Sequence, residues 1–191
     1  EIISIFNKRS NKEFKIHTKI GLTKKMRPDN SFGVDLASLT PEYIENAVKK
    51  SLEKCKTDNL EKVSLHAFCK IVPIEEQIGK LIEMIKDGYI NSYGICNFEK
   101  EELSEWLSIC DTKNLLFPNS LDVHFNILEQ KAIKELFPLL SKYSVEAIPH
   151  RILCRGILAG RYKNILKIPS DSRASFSLRV KKYLTNKNLD I

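Results

Sequence analysis

Short β-prone runs alternate with amphipathic helices along most of this chain, and that alternation constrains the fold more than any other feature. The runs lie at 14–18, 63–65, 93–95, 120–123 and 145–148. A polar or special residue follows each run, at Lys19, His66, Cys96-Asn97, His124 and His150, and from His66 onward the repeat is close to 30 residues, through positions 66, 96, 122 and 150. Strand–helix alternation at that spacing predicts right-handed βαβ units and a parallel sheet. The helices read from apolar periodicity and from their ends. Thr40-Pro41 offers an N-cap with proline at the first helical position, and Ile44, Ala47, Val48, Leu52 and Cys55 share one face. A second helix starts near Pro73, buries Ile74, Ile78, Leu81, Ile82 and Ile85, and closes at Gly88. A third presents Leu103, Trp106, Leu107 and Cys110, and a fourth Ala132, Ile133, Leu136, Phe137 and Leu140.

Several function classes fall away. The seven glycines form no G-x-G-x-x-G and no Walker loop, so classical dinucleotide-binding and P-loop readings lose support. No apolar run approaches the roughly 20 residues that span a bilayer. The opening is polar and charged, so no signal peptide is expected. Net charge is +7, concentrated in residues 1–30 (+5) and 161–191 (+6), while 31–160 carries −4. Dispersed aromatics and no basic stripe argue against a nucleic-acid partner. The five cysteines have no C-x-x-C pair, and the four histidines no H-x-x-x-H, so a metal site is not expected. Scattered thiols suit a reducing compartment, here the cytoplasm.

Two α/β architectures remain, a doubly wound open sheet and a closed (β/α)8 TIM barrel. A polar group after each strand favours the barrel, whose sites form at the C-terminal ends of the strands. Eight strands need roughly 250 residues, and five are visible. The expectation is a single partial barrel domain over 1–191, covering about strands 3 to 7. The missing initiator Met points the same way. Alone, such a piece is expected to fold poorly, with open edges and an apolar barrel interior unprotected.

The strand ends supply the candidate chemistry. Lys19 offers a fixed positive charge that lowers a neighbouring acid's pKa. His66 as neutral imidazole donates one hydrogen bond to a substrate oxygen, and Asn97 matches a carboxamide with donor and acceptor. Each residue alone also reads as a solvated lysine, a structural histidine or turn chemistry. Their joint placement at one end of consecutive strands raises the catalytic reading. Cys96 has no evident partner base, so a thiol nucleophile is weak.

The stretches IHTKIG, TDNLEKVSLH, IKDGYINSYGICNF, VHFNIL and RGILAGRY, in that order, resemble the aldo-keto reductases, particularly the branch related to potassium-channel β subunits. The resemblance implies an eight-stranded barrel and hydride transfer from a nicotinamide cofactor, usually NADPH, to an aldehyde or ketone. On it, Lys19 and His66 match the catalytic Lys and His. The family's Asp and Tyr fall before Glu1. Cys96-Asn97 stands where the family's Ser-Asn pair holds the carboxamide. Asp122 aligns with a Gln, His150 with an aromatic that stacks on the nicotinamide, Leu153 with the Leu of S-P-L, and Arg161 with the Lys of G-K-Y. The changed positions leave a rival reading open: a non-catalytic binding or regulatory module with a degenerate cofactor pocket. A third reading is a different reaction in the inherited pocket. The implied cofactor is NADP(H), with NAD(H) left open, and the implied partner a small carbonyl compound.

Overall fold

The computed structural model of the chain describes residues 14–26 and 32–189. Its centre is a five-stranded parallel sheet. The spatial order is β1 (His17–Ile20), β4 (Leu60–Leu65), β5 (Ile90–Cys96), β6 (Ser120–His124) and β7 (Glu146–His150). After β1 the chain makes an antiparallel hairpin, β2 (Leu22–Met26) and β3 (Phe32–Leu36), and returns through α1 (Pro41–Cys55) to β4. Then α2 (Ile74–Lys86) leads to β5, α3 (Lys100–Thr112) to β6, and α4 (Lys131–Glu135) with α5 (Phe137–Lys142) to β7. Beyond β7 lie a 3-10 segment (Cys154–Ala159) and short helices α6 (Arg173–Phe176), α7 (Leu178–Lys181) and α8 (Asn186–Leu189).

The helix ends follow their residues. The Thr40 hydroxyl accepts the Tyr43 amide at 3.1 Å, which starts α1. Gly88, at φ +79°, ends α2. There the Gly88 amide reaches the Ile85 carbonyl at 3.0 Å and the Tyr89 amide the Met84 carbonyl at 3.1 Å, a Schellman closure. Glu102, in the first turn of α3, accepts the Glu99 amide at 2.9 Å. The expected fourth helix is two. The break falls at Leu136, whose φ opens to −109°, and Pro138, with no N–H to continue the ladder, sits in the first turn of α5. Ile133, expected in the core, is 45% exposed. The first strand begins at His17 rather than Phe14, which lies outside the sheet and 46% exposed.

One face of the sheet is the hydrophobic core. Val63, Leu65, Tyr93, Ile95, Leu121 and Val123 pack there with Ile44, Val48, Ile78, Leu81, Leu103 and Trp106. Each such fully buried Leu, Ile or Val is worth about 1.5–3 kcal/mol relative to exposure. The opposite face corrects an expectation: apart from Leu60 and Ile90 at the start of β4 and β5, it is largely polar, not apolar. Period-2 alternation places Lys62, Ser64, Gly94, Ser120 and Asp122 on it, and all four side chains that are not glycine are buried. Lys62 Nζ donates to Ser120 Oγ at 2.8 Å, crossing β5 where Gly94 has no side chain. A Cβ at Gly94 would lie 2.8 Å from Ser64 Oγ and 2.9 Å from Ser120 Oγ.

All five cysteines are unpaired; Cys69, Cys96, Cys110 and Cys154 are buried and Cys55 half-buried. Among the described residues no helix is long and apolar enough to cross a membrane, and no group of three or more His, Cys, Asp or Glu could hold a metal ion.

Candidate active site

The parallel strands all deliver their C-terminal ends to one rim, and six of the eight candidate residues meet there. Gly21, at φ +105°, turns the chain away directly after β1, close against His66. The His66 amide donates to the Ile20 carbonyl at 2.8 Å, which places His66 beside Lys19. Lys19 forms an ion pair with the buried Asp122 on β6. Asn97 adopts the left-handed region at φ +59°, a conformation asparagine tolerates. Its backbone amide donates to the Asp122 carbonyl at 3.0 Å. Its side-chain amide donates to the His66 carbonyl at 3.0 Å and approaches Cys96 Sγ at 3.0 Å. Its side-chain oxygen meets His150 Nε2 at 3.0 Å. Asn97 therefore ties the ends of β4, β6 and β7 together.

The electrostatics follow from burial and these partners. Burial first, then the Lys19 charge, hold His66 below the ordinary histidine value, with Asp122 opposing. His66 is thus a neutral imidazole at pH 7. Burial and then Arg151 do the same to His150. Burial, with Asp122 nearby, pushes the Cys96 thiol up to about 11, so it is protonated and no nucleophile at neutral pH.

A second group adjoins the first, and of its residues only His150 is among the candidates from the sequence. The His124 and His150 rings stack, 5.6 Å between centroids and 4° from parallel. His124 Nε2 pairs with Glu129, which also accepts from the Tyr183 hydroxyl and, at 3.3 Å, from the Asn126 amide. Burial raises the Glu129 carboxyl, but the Tyr183 bond and His124 outweigh it and hold the group below its usual range. His124 and Glu129 border a cleft of about 330 Å³, with Asn97, Lys131 and Arg151 also at its edge. The strand-end position of His124 was a visible signal; the Glu129–Tyr183 link, 54 residues apart, had none.

Two candidates stand away from the cluster. Leu153 is 57% exposed and lines a separate apolar hollow of about 540 Å³ with Ile152, Ile157 and Tyr162. Arg161 turns its guanidinium to Asp171 at 2.7 Å.

The family model described as "Aldo/keto reductase family" matches residues 1–190. The chain belongs to the aldo/keto reductase family. Among aldo/keto reductase relatives, it is 24% identical over 129 residues to the human "Aflatoxin B1 aldehyde reductase member 2", covering 68% of this chain and 36% of that one. It is 26% identical over 152 residues to the "Probable voltage-gated potassium channel subunit beta" of Arabidopsis thaliana, covering 79% and 45%. A solved glycerol dehydrogenase from Gluconobacter oxydans superposes with TM-score 0.81 at 22% identity, over 98% of this chain and 55% of its own. A solved aldo-keto reductase from Bacillus halodurans superposes with TM-score 0.71 at 24% identity, over 91% and 54%. The chain thus has the TIM-barrel-like α/β fold of the aldo/keto reductases, a family of oxidoreductases. It spans less than half the length of these two curated relatives.

Proposed function

We propose that this chain supplies the catalytic floor and part of the cofactor site of an NAD(P)H-dependent reductase of aldehydes or ketones. The observation that carries this reading is the meeting of Lys19, His66, Asn97 and Asp122 at the C-terminal rim of a barrel-like sheet, in a member of this family. His66, neutral, hydrogen-bonds the carbonyl oxygen and fixes its face. The Lys19 ammonium stabilises negative charge as it grows on that oxygen and lowers the pKa of whichever acid protonates it.

The rim suits a nicotinamide cofactor in two respects. The half-buried His150 ring offers a flat surface at the mouth. The exposed Arg151 guanidinium touches His124 at 3.5 Å and, among the described residues, has no carboxylate within ion-pair distance, so it can meet a pyrophosphate. When bound, the cofactor supplies the hydride. His150, Asn97, Asp122 and Cys96 would border the nicotinamide, and Leu153 and Arg161 belong to the segment that follows β7. One observation favours the rival reading of a non-catalytic binding module: both ends of the Asn97 amide are already engaged within the protein.

Fluorescence titration of the full-length protein with NADPH separates the two. Saturable micromolar binding, followed by turnover of a carbonyl substrate, is the expected result. No binding at millimolar cofactor would leave the binding module as the function of this fold.

A further inference from the structure

Lys19 and Asp122 lie on strands three places apart in the sheet, β1 and β6, with β4 and β5 between them. Neighbouring strands are about 4.8 Å apart, so a flat sheet would separate these two backbones by about 14 Å, too far for the side chains to meet. They meet because the sheet curls, and the pair is a chord across its concave side. Small groups on β5 leave the path open. Gly94 has no side chain, and Cys96, paired in register with Asp122, presents only a thiol. A second lysine follows the same route lower down, Lys62 from β4 to Ser120 on β6. Asp122 and Ser120 are successive inward residues of β6, so the two contacts form consecutive rungs.

We propose that Asp122 is the positioning carboxylate of Lys19: it holds the ammonium against the His66 side of the rim, so its role at this site is to place Lys19 rather than to bind the cofactor amide. Asp122 is 5% exposed, and its side chain is engaged by Lys19. Held there, the ammonium acts on His66 from a fixed position. Without the carboxylate, the lysine arm is free to sweep the mouth. The catalytic part of this inference rests on the carbonyl-reduction reading; the pairing itself does not. The other ionisable groups facing the pair are His17 from β1, Lys62 from β4, His66 just after β4, Cys96 from β5 and His150 from β7.

The test uses the full-length protein with Asp122→Asn, Lys19→Met, both together, and Asp122→Glu. Lysines are dimethylated with a 13C label and observed by NMR at neutral pH, the Lys19 signal being the one lost in Lys19→Met. An ammonium held by Asp122 gives a signal set apart from those of solvated lysines, and Asp122→Asn is expected to move it in among them. Asp122→Glu keeps the charge and is expected to keep most of that separation. An unchanged Lys19 signal in folded Asp122→Asn overturns the pairing. If Asp122→Asn does not fold, the Glu variant decides: a Lys19 signal that merges with the solvated lysines despite the retained carboxylate overturns it. In kcat/KM, the double variant is expected to be no worse than the more damaged single one. Additive losses, with a weakened cofactor Kd in Asp122→Asn alone, would return Asp122 to cofactor binding. A moved Lys19 signal in a protein with no reductase activity keeps the pairing and removes the reduction reading.

Discussion

Asn97 joins three strand ends through one small side chain and its own backbone amide, so changes there reach both stability and the mouth of the site. Asn97→Ala removes the bonds to the His66 carbonyl and to His150 and is expected to cost about 1–3 kcal/mol, read from urea unfolding. Gly94 is a second sensitive position. Gly94→Val places carbon where two serine hydroxyls already sit, separates Lys62 from Ser120, and is expected to destabilise by about 1–3 kcal/mol in the same measurement. At this scale the sequence was readable where chemistry follows a strand end, as at Lys19, His66 and Asn97. The Lys19–Asp122 contact was not readable, because it depends on how far four strands curl, and no local spacing records that. The buried lysine on the concave face was hidden for a related reason. The run EKVSLH scores as β-prone as a whole, while its alternate residues face opposite environments.

The elements carry their own instructions at their ends. Thr40→Ala deletes the acceptor for the Tyr43 amide and is expected to cost about 1 kcal/mol, seen as a lower denaturation midpoint with an unchanged slope. At Gly88 a Cβ meets nothing within 4 Å, so Gly88→Ala tests the backbone alone; at φ +79° it is expected to cost about 1–2 kcal/mol. Both signals stood in the sequence, and both helices fell where those signals put them. The break between α4 and α5 also had its signal, Pro138, but apolar periodicity ran through it and masked the stop. The β2–β3 hairpin had less to announce it. It leaves Leu22 and Leu36 exposed and lies outside the strand–helix period that organised the rest.

For the molecule as a whole, all four histidines are held below the ordinary value, with burial the leading cause for each. Protonating them is harder in the folded chain than in the unfolded one, where the value is about 6.5. Their contribution to stability is therefore complete above about pH 6.5 and declines as pH falls through the lower folded values. Glu129, also lowered, adds a loss of the same sign further down. The melting temperature is expected to fall steadily from pH 7 to pH 5; a flat profile would contradict neutral imidazoles at the rim. The thiols have another use. Cys55, Cys69, Cys96, Cys110 and Cys154 sit, in turn, in α1, the loop after β4, the end of β5, α3 and the 3-10 segment, one in each successive stretch of the chain. Brief pulses of an alkylating reagent in rising urea would time-stamp the opening of each stretch separately. Cys55 would be marked first and Cys110 only on global unfolding, making the five sulfurs a native clock for the order in which the barrel wall comes apart.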